Sequence, residues 1–151
     1  MCPAAADQAW RAAVLNQAPA DECVGNAHGN LARVHELVER HPELATAPAT
    51  WGETPIQAAA QMGLRDLTEF LLERGAPLDV FTAAALGRAD DVRRLLREDP
   101  TLARRRGVHE LPAMYFAAVG GSLPAAEALL AAGAGVTKAP KAATAPGTGQ
   151  P

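Results

Sequence analysis

The sequence predicts an all-α solenoid of about four stacked helix pairs with a capping helix at the N-terminal end. Three observations predict it. Gly29, Gly63, Gly87 and Gly121 are each followed, eight and nine residues later, by an apolar pair: Leu37-Val38, Leu71-Leu72, Leu95-Leu96 and Leu129-Leu130. A helix-ending signal follows each pair: His41-Pro42, Gly75-Ala76, Asp99-Pro100 and Gly133-Ala134. The glycines are spaced 34, 24 and 34 residues apart, a rhythm of stacked units with one short member. Units of this kind bury their faces on their neighbours and present a surface rather than an active site.

The elements follow in order. Residues 1–20 form an N-terminal segment in which Asp7–Gln17 reads as a short helix. Asp7 caps it, Trp10, Ala13 and Val14 share one face, and Pro19 closes it. Repeat one (21–50) pairs Glu22–His28 with Leu31–Arg40, the second helix burying Val34, Leu37 and Val38. In repeat two (51–79) Thr54 caps a helix with Pro55 in its first turn and Ile56, Ala59 and Ala60 inward. Gly63 turns the chain, and Leu67, Phe70, Leu71 and Leu72 pack the second helix, which Gly75 ends. Repeat three (80–107) pairs Phe81–Leu86 with Asp90–Arg97. The stretch from Gly75 to Phe81 leaves no room for a hairpin, hence the short spacing. In repeat four (108–136) Pro112 and Pro124 open the two helices, and Met114, Ala117 and Ala118 answer to Ile56, Ala59 and Ala60. The remainder, 137–151, is rich in Ala, Pro, Gly, Thr and Lys without apolar periodicity and reads as a disordered tail.

Composition narrows the function classes. Alanine makes up about a quarter of the chain, which favours helices and lets them approach closely. The net charge is −3 with both signs interspersed, so no nucleic-acid footprint is expected. Cys2 and Cys23 do not make a disulfide framework. No apolar run is long enough to span a membrane, and Met1-Cys2-Pro3 does not open a signal peptide. These points together predict a cytoplasmic location.

The opening of repeat two, Glu53-Thr54-Pro55-Ile56-Gln57-Ala58-Ala59, with Gly63, Leu71-Leu72 and Gly75-Ala76, resembles the ankyrin repeat, whose helix opens T-P-L-H-x-A. Repeat four resembles it through Leu111–Ala118 and Gly133-Ala134, without an equivalent of Thr54. Repeats one and three lack the opening signature and end in His-Pro and Asp-Pro. The alternation is similar to that of small bacterial ankyrin-repeat proteins. The resemblance spans about Asp21 to Val136. It implies an L-shaped stack whose ligand docks on a concave face of loop tips and first-helix surfaces. Carried over, the exposed first-helix positions are the two residues before each repeat glycine: Ala27 and His28, Gln61 and Met62, Ala85 and Leu86, Val119 and Gly120. The loop tips lie near Thr50–Glu53 and Arg104–Glu110.

Two candidate sites emerge. Met62, Leu86 and Val119 form an apolar row with Trp51 nearby, and exposed apolar rows mark contact sites. Arg104, Arg105 and Arg106 could clamp or steer an acidic partner. With Glu53, Gln61 and Ala85 these residues make up the expected partner-binding set. Metal chemistry is weighed on Cys23, His28, His35 and His41, but their spacings of five, seven and six put them on successive short helices and a turn, where they do not converge. Asp90-Asp91 and Glu98-Asp99 lie at opposite ends of one helix, about 12 Å apart, too far for joint acid–base work. Ser122 is the only serine, and Gly120-Gly121 and Gly133-Ala134-Gly135 are not followed by a phosphate-loop lysine, so no cofactor is expected. The predicted function is non-catalytic binding of a protein partner. The alternatives are self-assembly through the alanine-rich last helix, where Ala125, Ala128 and Ala132 leave a flat face, and a metal protein or enzyme using the histidines.

Overall fold

The computed structural model describes residues 17–135. Most of the Asp7–Gln17 helix, Cys2 and the 137–151 tail lie outside the described residues. Eight α-helices are present among those described, joined in antiparallel pairs. They are α1 (17–26), α2 (Leu31–Arg40), α3 (Pro55–Gln61), α4 (Arg65–Glu73), α5 (Val80–Ala85), α6 (Ala89–Glu98), α7 (Ala113–Val119) and α8 (Leu123–Ala131). Three 3-10 turns, Pro42–Ala45, Pro100–Arg104 and Val108–Glu110, complete the connections. None of the described helices is long and apolar enough to cross a membrane.

One correction falls at the start. Helix α1 runs through Pro19 to Asn26 instead of beginning at Glu22. The reason is its buried stripe: Ala20, Cys23, Val24 and, one turn further, Ala27 are spaced for one helical face. That face reaches back beyond Glu22 and draws Pro19 into the helix.

The turns inside repeats two, three and four are one structure made three times. Gly63, Gly87 and Gly121 sit at φ 69°, 70° and 64°. The next residue's N–H bonds the carbonyl five positions back in each: Leu64 to Ala59, Arg88 to Ala83, Ser122 to Ala117, at 2.9–3.0 Å. This closure satisfies helix-end carbonyls and needs a left-handed residue, which glycine supplies without strain. Gly75 and Gly133 end α4 and α8 in the same way. Gly29 is outside the left-handed region. There Asn30 takes over, its side chain accepting from the Arg33 N–H at the start of α2. Where no glycine follows, after α2 and α6, proline starts a 3-10 turn.

Other caps act locally. Gln57 Oε1 accepts from the Thr54 N–H at 2.9 Å, and the Asp79 carboxylate accepts from the Thr82 N–H at 2.7 Å. Ser122 caps α8 by accepting from Ala125 N–H.

The core consists of two clusters that meet at α3. Ala58 and Ala59 belong to the first, with Val34, Val38, Leu67 and Leu71, while Ala60 belongs to the second, with Val92, Phe116 and Leu129. The short third repeat shapes the second cluster. Helix α5 has six residues and no hairpin before it, so α7 lies tight against it and also touches α3 beyond it. At Gly120 an added Cβ would overlap the carbonyl oxygens of Ala84 and Ala85. At Gly63 it would come within 2.5 Å of Val119 Cγ1. Alanines at 83, 84, 85 and 117 make the approach possible.

Candidate functional site

The loop before α3 and the loop before α7 face each other across the N-terminal end of α5, where a full-length repeat would place its own hairpin. Between them lies a groove of about 380 Å³ bordered by Trp51, Glu53, Asp79, Phe81, Arg106 and His109, among others.

Each wall is built locally. Gly52 at φ 88° closes a tight turn, and Ala49 N–H bonds the Glu53 carbonyl at 2.8 Å. This turn is tied to α1, because the Asp21 carboxylate accepts from both the N–H and hydroxyl of Thr50 at 2.6 Å. Those bonds hold the Asp21 carboxyl below the usual carboxylate range. On the other wall Arg106 and Pro112 form an isolated antiparallel bridge, with Gly107 N–H to Leu111 carbonyl at 2.9 Å. Gly107 rests on the rings of Phe81 and Phe116, 3.1–3.2 Å from where a Cβ would stand. His109 and Glu110 then take left-handed conformations, φ 55° and 61°. Left-handed non-glycine residues cost about 1–2 kcal/mol each, so the packing around this turn over-determines it.

At one end of the groove sits the Glu53 side chain, 2% exposed. Trp51 Nε1 donates to its Oε2 at 2.9 Å, and Gln61 Nε2 donates to its Oε1 at 2.8 Å. The Nε2 atoms of His28 and His109 each lie 3.5 Å from Oε1. Gln61 Nε2 is also 3.0 Å from His28 Nε2. The ligating atoms of His28, Glu53 and His109 all lie within 4.8 Å of one another.

The expected partner-binding set is thus divided. Trp51 (54% exposed) and Met62 (52%) are surface residues. Leu86, expected beside Met62 on the surface, is 3% exposed, and Ala85 is buried with it. The close approach of α7 over the short α5 covers both. Gln61, Glu53 and Ala27, also taken as exposed, are buried, the first two as polar partners of each other. Val119 stays at the surface, against Gly63, and the Tyr115 hydroxyl bonds the Gln61 carbonyl. The observed apolar edge is therefore Met62 with Tyr115 and Val119, not Met62 with Leu86 and Val119.

The three arginines diverge. Arg105 pairs with Asp99 at 3.4 Å, Arg106 borders the groove, and Arg104 lies along Gly133 at the end of α8. All three do border a smaller cleft of about 290 Å³ with Gly133 and Gly135. On α8 the flat alanine face is also revised. Ala125 is buried, α8 packing on α6, and the outward residues include Leu123 (69% exposed) and Leu130 (50%).

Of the four residues weighed for metal, His35 stacks on Phe70 with centroids 3.6 Å apart, His41 lies 3.6 Å from Glu43, and Cys23 is buried in the first core cluster. His28 does meet a second histidine, His109. Sequence reasoning missed this pair and the role of Glu53. The only available signal was that the two loop tips were placed on one face.

With the helix pairs and their loops in place, the sequence profile of the ankyrin repeat matches residues 51–83. The chain carries an ankyrin repeat there. The match falls on the repeat with the intact Thr54-Pro55 opening and extends into the short repeat that follows. No curated protein matches the chain.

Proposed function

We propose that this ankyrin stack is a non-catalytic binding module for a protein partner, which docks where the loops before α3 and α7 face each other and along the adjoining Met62 edge. The observation that carries the reading is Trp51, half exposed yet held by its hydrogen bond to Glu53. An aromatic ring fixed before contact loses little side-chain entropy on binding, and tryptophan is enriched among binding hot spots. Phe81 adds apolar surface, and Asp79, Arg106 and His109 supply polar groups around it. The ankyrin repeat itself is an interaction fold, which supports binding over turnover.

Affinity capture from lysate of the source cells tests this, with wild type, Trp51→Ala and Met62→Arg compared. Both positions are exposed, so both variants keep their helicity. A protein retained by wild type and lost by either variant supports the site; equal recovery by all three baits removes it. Leu86→Arg is unsuitable as a probe because it places a charge in the core.

A second reading rests on a separate observation. Leu123 and Leu130 are exposed on the last helix, which suits docking of a second copy. Light scattering that reports a monomer at high concentration removes that reading.

A further inference from the structure

We propose that His28, Glu53 and His109 form a binding site for one divalent transition-metal ion of the zinc class. The site shares Glu53 and His109 with the proposed docking groove but does not depend on that reading, and it rests on four observations.

The donor set is the first. Two imidazoles and one carboxylate suit zinc and its neighbours, whereas magnesium and calcium call for oxygen ligands.

The spacing is the second. Zinc sits about 2.0–2.2 Å from nitrogen and carboxylate oxygen, so tetrahedral ligand atoms lie about 3.3–3.5 Å apart. Both histidine Nε2 atoms are already 3.5 Å from Glu53 Oε1. The His28–His109 edge is within 4.8 Å, and the His109 side chain is exposed, so a rotamer change shortens it without moving the turn.

The tautomer is the third. His28 Nδ1 is 3.0 Å from the Val24 carbonyl oxygen. A carbonyl only accepts, so Nδ1 carries a proton, and in the neutral ring the Nε2 lone pair is the acceptor for the Gln61 amide 3.0 Å away. Metal-ligating histidines are held in this way, with the other ring N–H on a backbone carbonyl.

The fourth is the buried carboxylate. Glu53 is almost wholly removed from water, and its Oε1 accepts from a neutral donor, Gln61. The Gln61 amide nitrogen bridges the same two atoms, Glu53 Oε1 and His28 Nε2, that an ion would join. A cation takes over that bridge, supplies the positive charge a buried carboxylate calls for, and keeps a fourth position for water or a partner's carboxylate.

The three ligands come from the turn after α1, the loop before α3 and the turn before α7. A bound ion therefore joins repeats one, two and four across the short third repeat.

The test uses the full chain, first stripped of metal with a chelator, then titrated calorimetrically with zinc chloride, with magnesium chloride as the control. One zinc per chain is expected, with a raised Tm, and no response to magnesium. His109→Ala should keep the apo helicity, since its side chain is on the surface. Loss of even an outer partner of a metal site costs about 10–100-fold in affinity, so loss of this ligand should weaken zinc by about 100-fold or more. His41→Ala should bind as wild type does. The proposal is overturned if zinc at millimolar concentration gives neither stoichiometric heat nor a Tm rise. It is equally overturned if His109→Ala and wild type bind alike, which would place the ion elsewhere. Glu53→Gln is a second probe, and if it does not fold, His109→Ala alone decides.

Discussion

The Tyr115 hydroxyl donates to the Gln61 backbone carbonyl at 3.0 Å, joining repeat four to repeat two across the repeat between them. In a one-dimensional stack each unit touches only its neighbours. Here the short α5 lets α7 reach α3, and the stack gains a tie that skips a unit. Tyr115→Phe removes the donor and leaves the ring. Urea denaturation should show a loss of about 0.5–1.5 kcal/mol. An unchanged midpoint would mean that water replaces the hydroxyl without cost.

Gly120→Ala should act against the usual sign. Its φ of −75° is open to any residue, and Gly→Ala at such positions ordinarily stabilises by about 0.4–1 kcal/mol through the unfolded chain. At Gly120 the new Cβ overlaps backbone oxygens of Ala84 and Ala85, which cannot swing aside as a side chain can. The expected result is a destabilisation of about 1–3 kcal/mol, read as a lower Tm. A higher Tm would show that α7 can slide off α5 freely.

Cys23 predicts the alkaline limb of the stability profile. Burial, with a smaller contribution from the Glu22 charge, pushes its thiol from the ordinary 9.0 up to about 11. The folded state therefore favours the protonated thiol. Its contribution is full below pH 9.0 and is lost as pH rises to about 11, because the unfolded chain ionises first. Wild type should lose about 2 kcal/mol more than Cys23→Ala over that interval. Parallel profiles for the two proteins would rule this out.

Asp21 predicts the acid limb. Its carboxyl, held low chiefly by the Thr50 hydroxyl, is ionised in the folded state to a lower pH than in the unfolded one. That contribution is full above the ordinary value of 3.8 and disappears as pH falls through the depressed one. Unfolding midpoints of wild type and Asp21→Asn should therefore differ most near neutrality and converge in acid. A constant gap would place the effect of Asp21 in packing rather than charge.

How far the sequence reached can be judged residue by residue. Val34, Leu37 and Val38 are buried as their spacing requires, and Gly75 and Gly133 end helices as C′ glycines do. Pro19 misled because a proline's local veto was set against a buried stripe extending past it. Leu86 misled because its exposure was carried over from repeats of regular length. His28 was weighed with the wrong partners and His109 was placed only within a loop tip: they are 81 residues apart, and no local pattern shows that they meet at a third residue, Glu53.

The sequence by itself determined the helix pairs, the turns between them and the two ways in which they end. These are local properties: a 3.6-residue period, a left-handed glycine and a proline without an N–H each act within a few residues. Only the tertiary structure decided which surface remains open. Dropping the hairpin from one repeat changes how close its neighbours come. That rigid-body distance, absent from any local pattern, buries Ala85 and Leu86, exposes the Met62 edge and brings His109 to Glu53.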